Sequence, residues 1–150
     1  MLPPINVPKL FPDSYEAQLA ADKAATEAAE VAGIDPLVIG LVKIRTSQLN
    51  GCAYCLRMHT RHALDEGETT DRLAVLAAWW ESQYFTPEEQ AALTLAERIT
   101  RIGEEHTSPA PAVDVEAILD EKQMAAVAAL VIVINTWNRI AVLSHYPVAP

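Results

Sequence analysis

The only two cysteines in the chain, Cys52 and Cys55, stand in the segment NGCAYCLRMHTRHALDEG, which also holds His59 and His62, two of the four histidines. Residues of these types at this spacing serve a metal site, a redox couple, or no chemistry at all. On a helix turning about 100° per residue, with Cys52 at zero, Cys55, His59 and His62 fall near ~300°, ~340° and ~280°. All four then share one narrow face, with neighbours three or four residues apart. Structural zinc takes four ligands in a tetrahedron, and a second chain segment normally closes the far side. Here the ligands come from one side only, along about 14 Å of helix. The chain has no second cysteine pair, and only His106 or His145 remains to complete a site. No metal is expected.

A dithiol fits the spacing better. In C-x-x-C at the start of a helix the sulfurs sit one turn apart and join with little rearrangement. Cys52 falls in the first turn after Asn50, where unpaired N–H groups favour a thiolate. His59, one turn beyond Cys55, is placed to accept its proton. The residues themselves admit Cys52 as nucleophile as readily as Cys55. The plain alternative makes both cysteines small buried apolar residues and His59 a satisfied core histidine.

The elements that must hold this segment read as helices throughout. Prolines 3, 4, 8 and 12 make residues 1–12 an extended arm with apolar side chains to bury, lying on its own domain or crossing to a neighbouring subunit. A single domain, residues 13–150, follows. Asp13 or Ser14 caps a helix running to Ala32, and Gly33 ends it. Asp35 caps a second helix with Pro36 at its first position, apolar on most sides as an internal helix would be. Asn50 caps the helix of the cysteines, which stops at Gly67. Further helices are expected over Asp71–Ser82, from Pro87 to about Glu105 with Thr86 as cap, over Val113–Leu119 after the SPAPA break, and over Glu121–Leu143. No stretch alternates with period two between hairpin turns, so the fold class is all-α.

Composition is consistent with one such domain. Residues that are 51% hydrophobic and 21% charged are enough to build a core within 150 residues. A formal charge of −9 disfavours nucleic acid and anionic membrane as partners. The longest apolar run, Met124 to Ile134, is shorter than the ~20 residues that span a bilayer and reads as a buried core helix. The N-terminus lacks a basic start and an apolar signal-length run, so the cytoplasm is the expected compartment, where a permanent structural disulfide is unusual.

The segment SQLNGCAYCLRMHTRHALDEGE resembles the active-site segment of the AhpD-like alkylhydroperoxidases, within the carboxymuconolactone decarboxylase superfamily. The likeness continues through LAVLAAWWESQYFTPEEQAALTLAERIT and INTWNRIAV, covering about Pro36 to Val142. The resemblance implies an all-helical fold assembled as a homo-oligomer, a trimer or hexamer. It implies a thiol-dependent peroxidase with no cofactor beyond a redox-active Cys52–Cys55 disulfide. Cys55 would attack a hydroperoxide, Cys52 would donate a proton and then resolve the sulfenic acid, and His59 would relay protons. A dithiol or lipoyl-bearing partner would reduce the pair again. Two positions depart from the family pattern: Gly40 stands where a glutamate precedes the first cysteine by twelve residues, and Tyr54 stands where a histidine precedes the second. The missing carboxylate deprives His59 of a partner, and general acid–base help is worth about 10²–10⁴ in rate. Glu97 or a water is the expected substitute. A weakly active or non-enzymatic scaffold, serving as redox sensor or oligomeric binder, is the alternative. Decarboxylase chemistry does not use this cysteine pair.

Around these residues, Tyr54, His62 and Trp137 are candidate pocket residues. Asn135 and Asn138 either join them or close the polar end of a buried helix. Lys43, Arg45 and Arg57 are candidates to hold a thiolate or anionic substrate, or else to pair with carboxylates. Of Trp79 and Trp80, about 100° apart on a helix, one should be core and the other a contact or pocket wall.

Overall fold

The structure is a computed structural model that describes residues 1–104 and 110–150. Helices α2 (Pro12–Val31), α3 (Pro36–Asn50), α4 (Ala53–Asp65), α6 (Pro87–Thr100) and α8 (Glu121–Leu143) carry the fold, with shorter helices α1 (Val7–Leu10), α5 (Thr70–Val75) and α7 (Val115–Ile118) between them. No strand occurs among the described residues. His106 and the Ser108–Pro109 start of the SPAPA break lie outside the described residues.

The arm is not extended throughout. Asn6 accepts the Lys9 N–H and opens the single turn of α1, and Pro8 occupies a first-turn position where its missing N–H costs nothing. The arm lies on its own domain: Ile5 N–H donates to Leu143 O at 2.8 Å, and Ser144 Oγ donates to Ile5 O. Helix α2 starts at Pro12 with no side-chain cap, rather than at Asp13 or Ser14. The expected fourth helix is two pieces. Thr69 caps α5, and a tighter 3₁₀ segment, Leu76–Glu81, follows with a kink at Ala78.

Helix α3 sits at the centre because it is apolar nearly all round. One face packs Val38, Ile39 and Val42 against Ala25 and Ala29 of α2, Ala92 and Ala96 of α6, and Val127, Leu130 and Val131 of α8. Its other face packs Leu41 and Ile44 against Ala63, Leu76, Trp79 and Leu93. Each large aliphatic side chain buried here contributes about 1.5–3 kcal/mol. Helix α8 is long and apolar enough to cross a bilayer by length and composition, yet its buried side chains supply this core.

Two buried charge clusters tie the helices together. Arg45 donates from Nε and Nη2 to Glu97 Oε1 at 2.8 Å each, and Trp79 Nε1 donates to the same oxygen at 3.0 Å. Arg72 bridges Glu68 and Glu89, donates to Tyr84 O, and lies over the Phe85 ring, pinning α5 to the start of α6. Trp79 is thus core and Trp80 half-buried beside it, their ring centroids 5.9 Å apart.

Candidate functional site

One residue ends α3 and begins α4. Gly51 turns the chain with φ +66°, a left-handed conformation that glycine adopts without steric cost. The next residue, Cys52, donates its N–H back to Ser47 O at 3.0 Å, closing α3. Its sulfur accepts the Cys55 N–H at 3.3 Å, capping α4. Cys52 is therefore the N-cap itself, where Asn50 was expected, and its backbone is extended rather than helical. That places its sulfur nearer the unpaired N–H groups than a first-turn residue would be, which favours its thiolate.

Asn50 has a different task. Its Nδ2 donates to Asn138 Oδ1 at 2.9 Å and to Asn135 Oδ1 at 3.0 Å, both on α8. Asn138, 1% exposed, donates in turn to Ser47 Oγ. The polar end of α8 thus holds both sides of the Gly51 turn, and these asparagines position the dithiol without touching it.

Cys52 and Cys55 are joined as a disulfide, their α-carbons 5.4 Å apart, within the usual range for a bonded pair. Both are closed from solvent, at 1% and 2% exposure, under Ala141 and the rings of Tyr54 and Tyr146. The two tyrosines meet edge to face with centroids 5.0 Å apart. Burial, then Tyr15 and Tyr54, push the Tyr146 phenol above its ordinary value, so it stays protonated. Sequence reasoning missed Tyr146 because it follows the last helix, where periodicity carries no signal. It reaches the disulfide because His145 takes a left-handed turn (φ +51°) and Tyr146 N–H donates to Ala141 O, closing α8. Arg57 Nη1 then donates to Ala149 O at 2.7 Å, strapping the C-terminal segment across α4.

The histidines face a different space. His59 is 8% exposed, and its Nε2 has no hydrogen-bond partner among the described residues. Burial first, then the charges of Lys43 and His62, lower its pKa to about 3, so the imidazole is neutral at physiological pH. His62 is exposed, its ring centroid 6.3 Å from that of His59. Both line a small cavity with Gly40, Lys43 and Ala63. Glu97, expected as the substitute carboxylate for His59, is committed to Arg45 and Trp79 instead. Arg45 is likewise spent on Glu97 and Gln48. Trp137 turns toward α2, donating to Asp22 Oδ2 and meeting Tyr15 edge to face. Among the described residues no three histidine, cysteine or acidic side chains gather to hold a metal ion.

Chemically, the site is a closed dithiol couple whose first sulfur caps a helix and whose second lies one turn from a neutral base. The chain is 43% identical to the uncharacterized protein YdfG of Bacillus subtilis over 102 residues, 68% of this chain and 69% of that protein. It is 33% identical to the uncharacterized protein YnjA of Escherichia coli over 64 residues, 43% of this chain and 35% of that one. The fold matches a crystal structure of ATU0492 from Agrobacterium tumefaciens, a protein of unknown function provisionally assigned as the antioxidant defence protein AhpD. That match has TM-score 0.78 and 30% identity, over 97% of this chain and 98% of the other. The profile of the carboxymuconolactone decarboxylase family matches residues 12–98, from the start of α2 through the dithiol segment to α6. The chain belongs to the carboxymuconolactone decarboxylase family and has the AhpD-like fold.

Proposed function

We propose that the chain is a thiol-dependent peroxidase that reduces hydroperoxides through a Cys52–Cys55 dithiol–disulfide cycle. The observation that carries this reading is the disulfide between the N-cap and third residue of α4, one turn from a buried, neutral histidine. Starting from the reduced pair, His59 relays the Cys55 proton toward the departing oxygen as the peroxide is attacked. The Cys55 thiolate attacks the terminal oxygen of the hydroperoxide, the O–O bond breaks, and the alkoxide leaves as an alcohol with the proton from His59. Cys55 is now a sulfenic acid. Cys52 then attacks the Cys55 sulfur, the S–O bond breaks, and water departs with the Cys52 proton. A dithiol or lipoyl-type reductant returns two electrons and two protons by thiol–disulfide exchange. We assign the peroxide-attacking role to Cys55 as the family resemblance implies, with His59 one turn further along α4; the helix cap at Cys52 suits a resolving thiolate. In a homo-oligomer, exposed apolar side chains such as Leu10, Phe11, Ile132 and Val142 would be covered.

A second reading, a redox sensor or scaffold with little turnover, is favoured by the closure of both sulfurs and by the unpartnered His59 Nε2. Turnover of cumene hydroperoxide with a dithiol separates the two. The peroxidase reading expects turnover in wild type, none in Cys55→Ser, and a gain of about tenfold or more in Gly40→Glu, where a carboxylate returns beside His59. A β-carbon at position 40 meets Ala63 Cβ at an ordinary 3.5 Å, so the helix accommodates a side chain there. Absence of turnover in both wild type and Gly40→Glu, with the dithiol still oxidising, leaves the sensor reading.

A further inference from the structure

Between α2, α3 and α4 lies a cavity of about 110 Å3, bounded by Gly40, Lys43, His59 and Ala63. Gly40, with no side chain, forms part of its wall, and a β-carbon there would meet Ala63 Cβ at 3.5 Å. Its inner wall holds a buried imidazole whose Nε2 is unpaired among the described residues, and a buried polar atom left without a partner is costly. The neighbouring cation is underused. Lys43 Nζ lies 3.8 Å from Asp22 Oδ1, longer than a hydrogen bond, and an ammonium has three donors to place.

We propose that this cavity is a binding site for a small monocarboxylate of one to three carbons. One carboxylate oxygen accepts from Nε2–H of His59, and the other accepts from Lys43 Nζ. A water molecule occupies about 30 Å3 of liquid, so the space suits a ligand of roughly three to five heavy atoms, the size of formate, acetate or propionate. Donors and charge together set the class. Lys43, already paired with Asp22 at 3.8 Å, offers a carboxylate its free N–H donors rather than an unbalanced charge, while the exposed Glu30 of α2 and Glu66 of α4 line the same cavity and oppose a multiply charged anion such as phosphate. His62 shares the opening, and Lys43 is the sole cation among the lining residues. Cys55 is not among the lining residues, so a bound carboxylate acts on the dithiol only through His59.

Binding and its catalytic consequence can be read separately. A carboxylate against Nε2 opposes the effect of burial and raises the His59 pKa. It also gives the imidazole a second base to pass a proton to; that consequence rests on the peroxidase reading, whereas binding does not.

The test is acetate titration of protein labelled with 15N-histidine, at pH 6 and constant ionic strength held with chloride. Wild type should show a saturable shift of the His59 ring nitrogens. Gly40→Val, confirmed folded by its amide spectrum, should abolish it. Lys43→Gln should weaken it about tenfold, the loss of one charge-assisted hydrogen bond. Pivalate, a branched acid, should produce no shift in wild type. A shift that never saturates, or one that persists unchanged in Gly40→Val, overturns the site and leaves only water in the cavity. Turnover measured beside the titration keeps the two ideas apart. Stimulation with the same half-saturation supports both, and binding without stimulation removes the catalytic consequence while the site stands.

Discussion

At the scale of single residues, His59 decides most of what the site can do. Its ring is neutral first because it is buried, with the charges of Lys43 and His62 adding to the effect. With its pKa lowered to about 3 the buried imidazole is unprotonated at neutral pH, so a thiol is the expected source of any neutral-range pH dependence of turnover. The same shift makes His59 a pH-dependent component of stability. Its folded value of about 3 lies below the ordinary 6.5, so the unfolded chain binds the proton more readily between those limits. The stabilisation is complete above pH 6.5 and is lost as pH falls toward 3, by about 1.4 kcal/mol for each pH unit. Chemical denaturation of wild type and His59→Leu from pH 7 to 4.5 should therefore show the wild type losing stability more steeply. Parallel curves would mean that the histidine reaches water. The residues needed for this were visible in the sequence: C-x-x-C with a histidine four further on fixes types and spacing. Burial was not, because what closes over His59 and the sulfurs comes from α3 and from the segment after α8, distant in sequence.

Among the elements, the joint between α3 and α4 and the strap after α8 control access to the sulfurs. The joint was half legible. Asn50 and Gly51 announce a break, but an asparagine before a helix fits capping as well as tertiary pairing. Only the neighbouring α8 decides that Asn50 pairs with Asn138 and leaves the cap to Cys52. The strap was not legible, because SHYPVAP has neither helical nor strand periodicity, and its course depends on the left-handed turn at His145 and on Arg57. Tyr146 packs over cysteines that are 1–2% exposed, and the Arg57–Ala149 contact holds the segment that carries it, so reduction of the disulfide is expected to require this segment to lift. Arg57 is on the exposed side of the contact, where a single hydrogen bond to a charged donor is worth about 1–3 kcal/mol at most. Arg57→Ala should accelerate reduction of the disulfide by dithiothreitol about fivefold or more, with little change in unfolding midpoint. An unchanged rate would show that Tyr146 alone, or another segment, governs access.

For the whole molecule, the all-α architecture followed from patterns that survive without tertiary knowledge: Asp35–Pro36 and Thr86–Pro87 at helix starts, Gly33 and Gly67 at helix ends, and an apolar run too short to span a bilayer by itself. Two features resisted. The arm contains a turn of helix because Asn6 caps Lys9, a local bond that four prolines hid. The Trp79–Trp80 segment is a 3₁₀ turn because Trp79 must reach Glu97 while Leu76 stays buried, a demand set by α6. The assembled scaffold places a closed disulfide at the start of α4 and, one turn further along, a neutral histidine beside a small cavity. Its proposed use is a reversible two-electron exchange at the sulfurs. The most direct measurement is thiol counting with intact mass on the reduced protein, before and after one equivalent of cumene hydroperoxide under native conditions. The account predicts that two thiols disappear together, with the loss of two hydrogens, one Cys52–Cys55 bond within the chain, and one equivalent of alcohol. Two thiols that remain countable after excess peroxide, in protein that dithiothreitol has fully reduced, would contradict it.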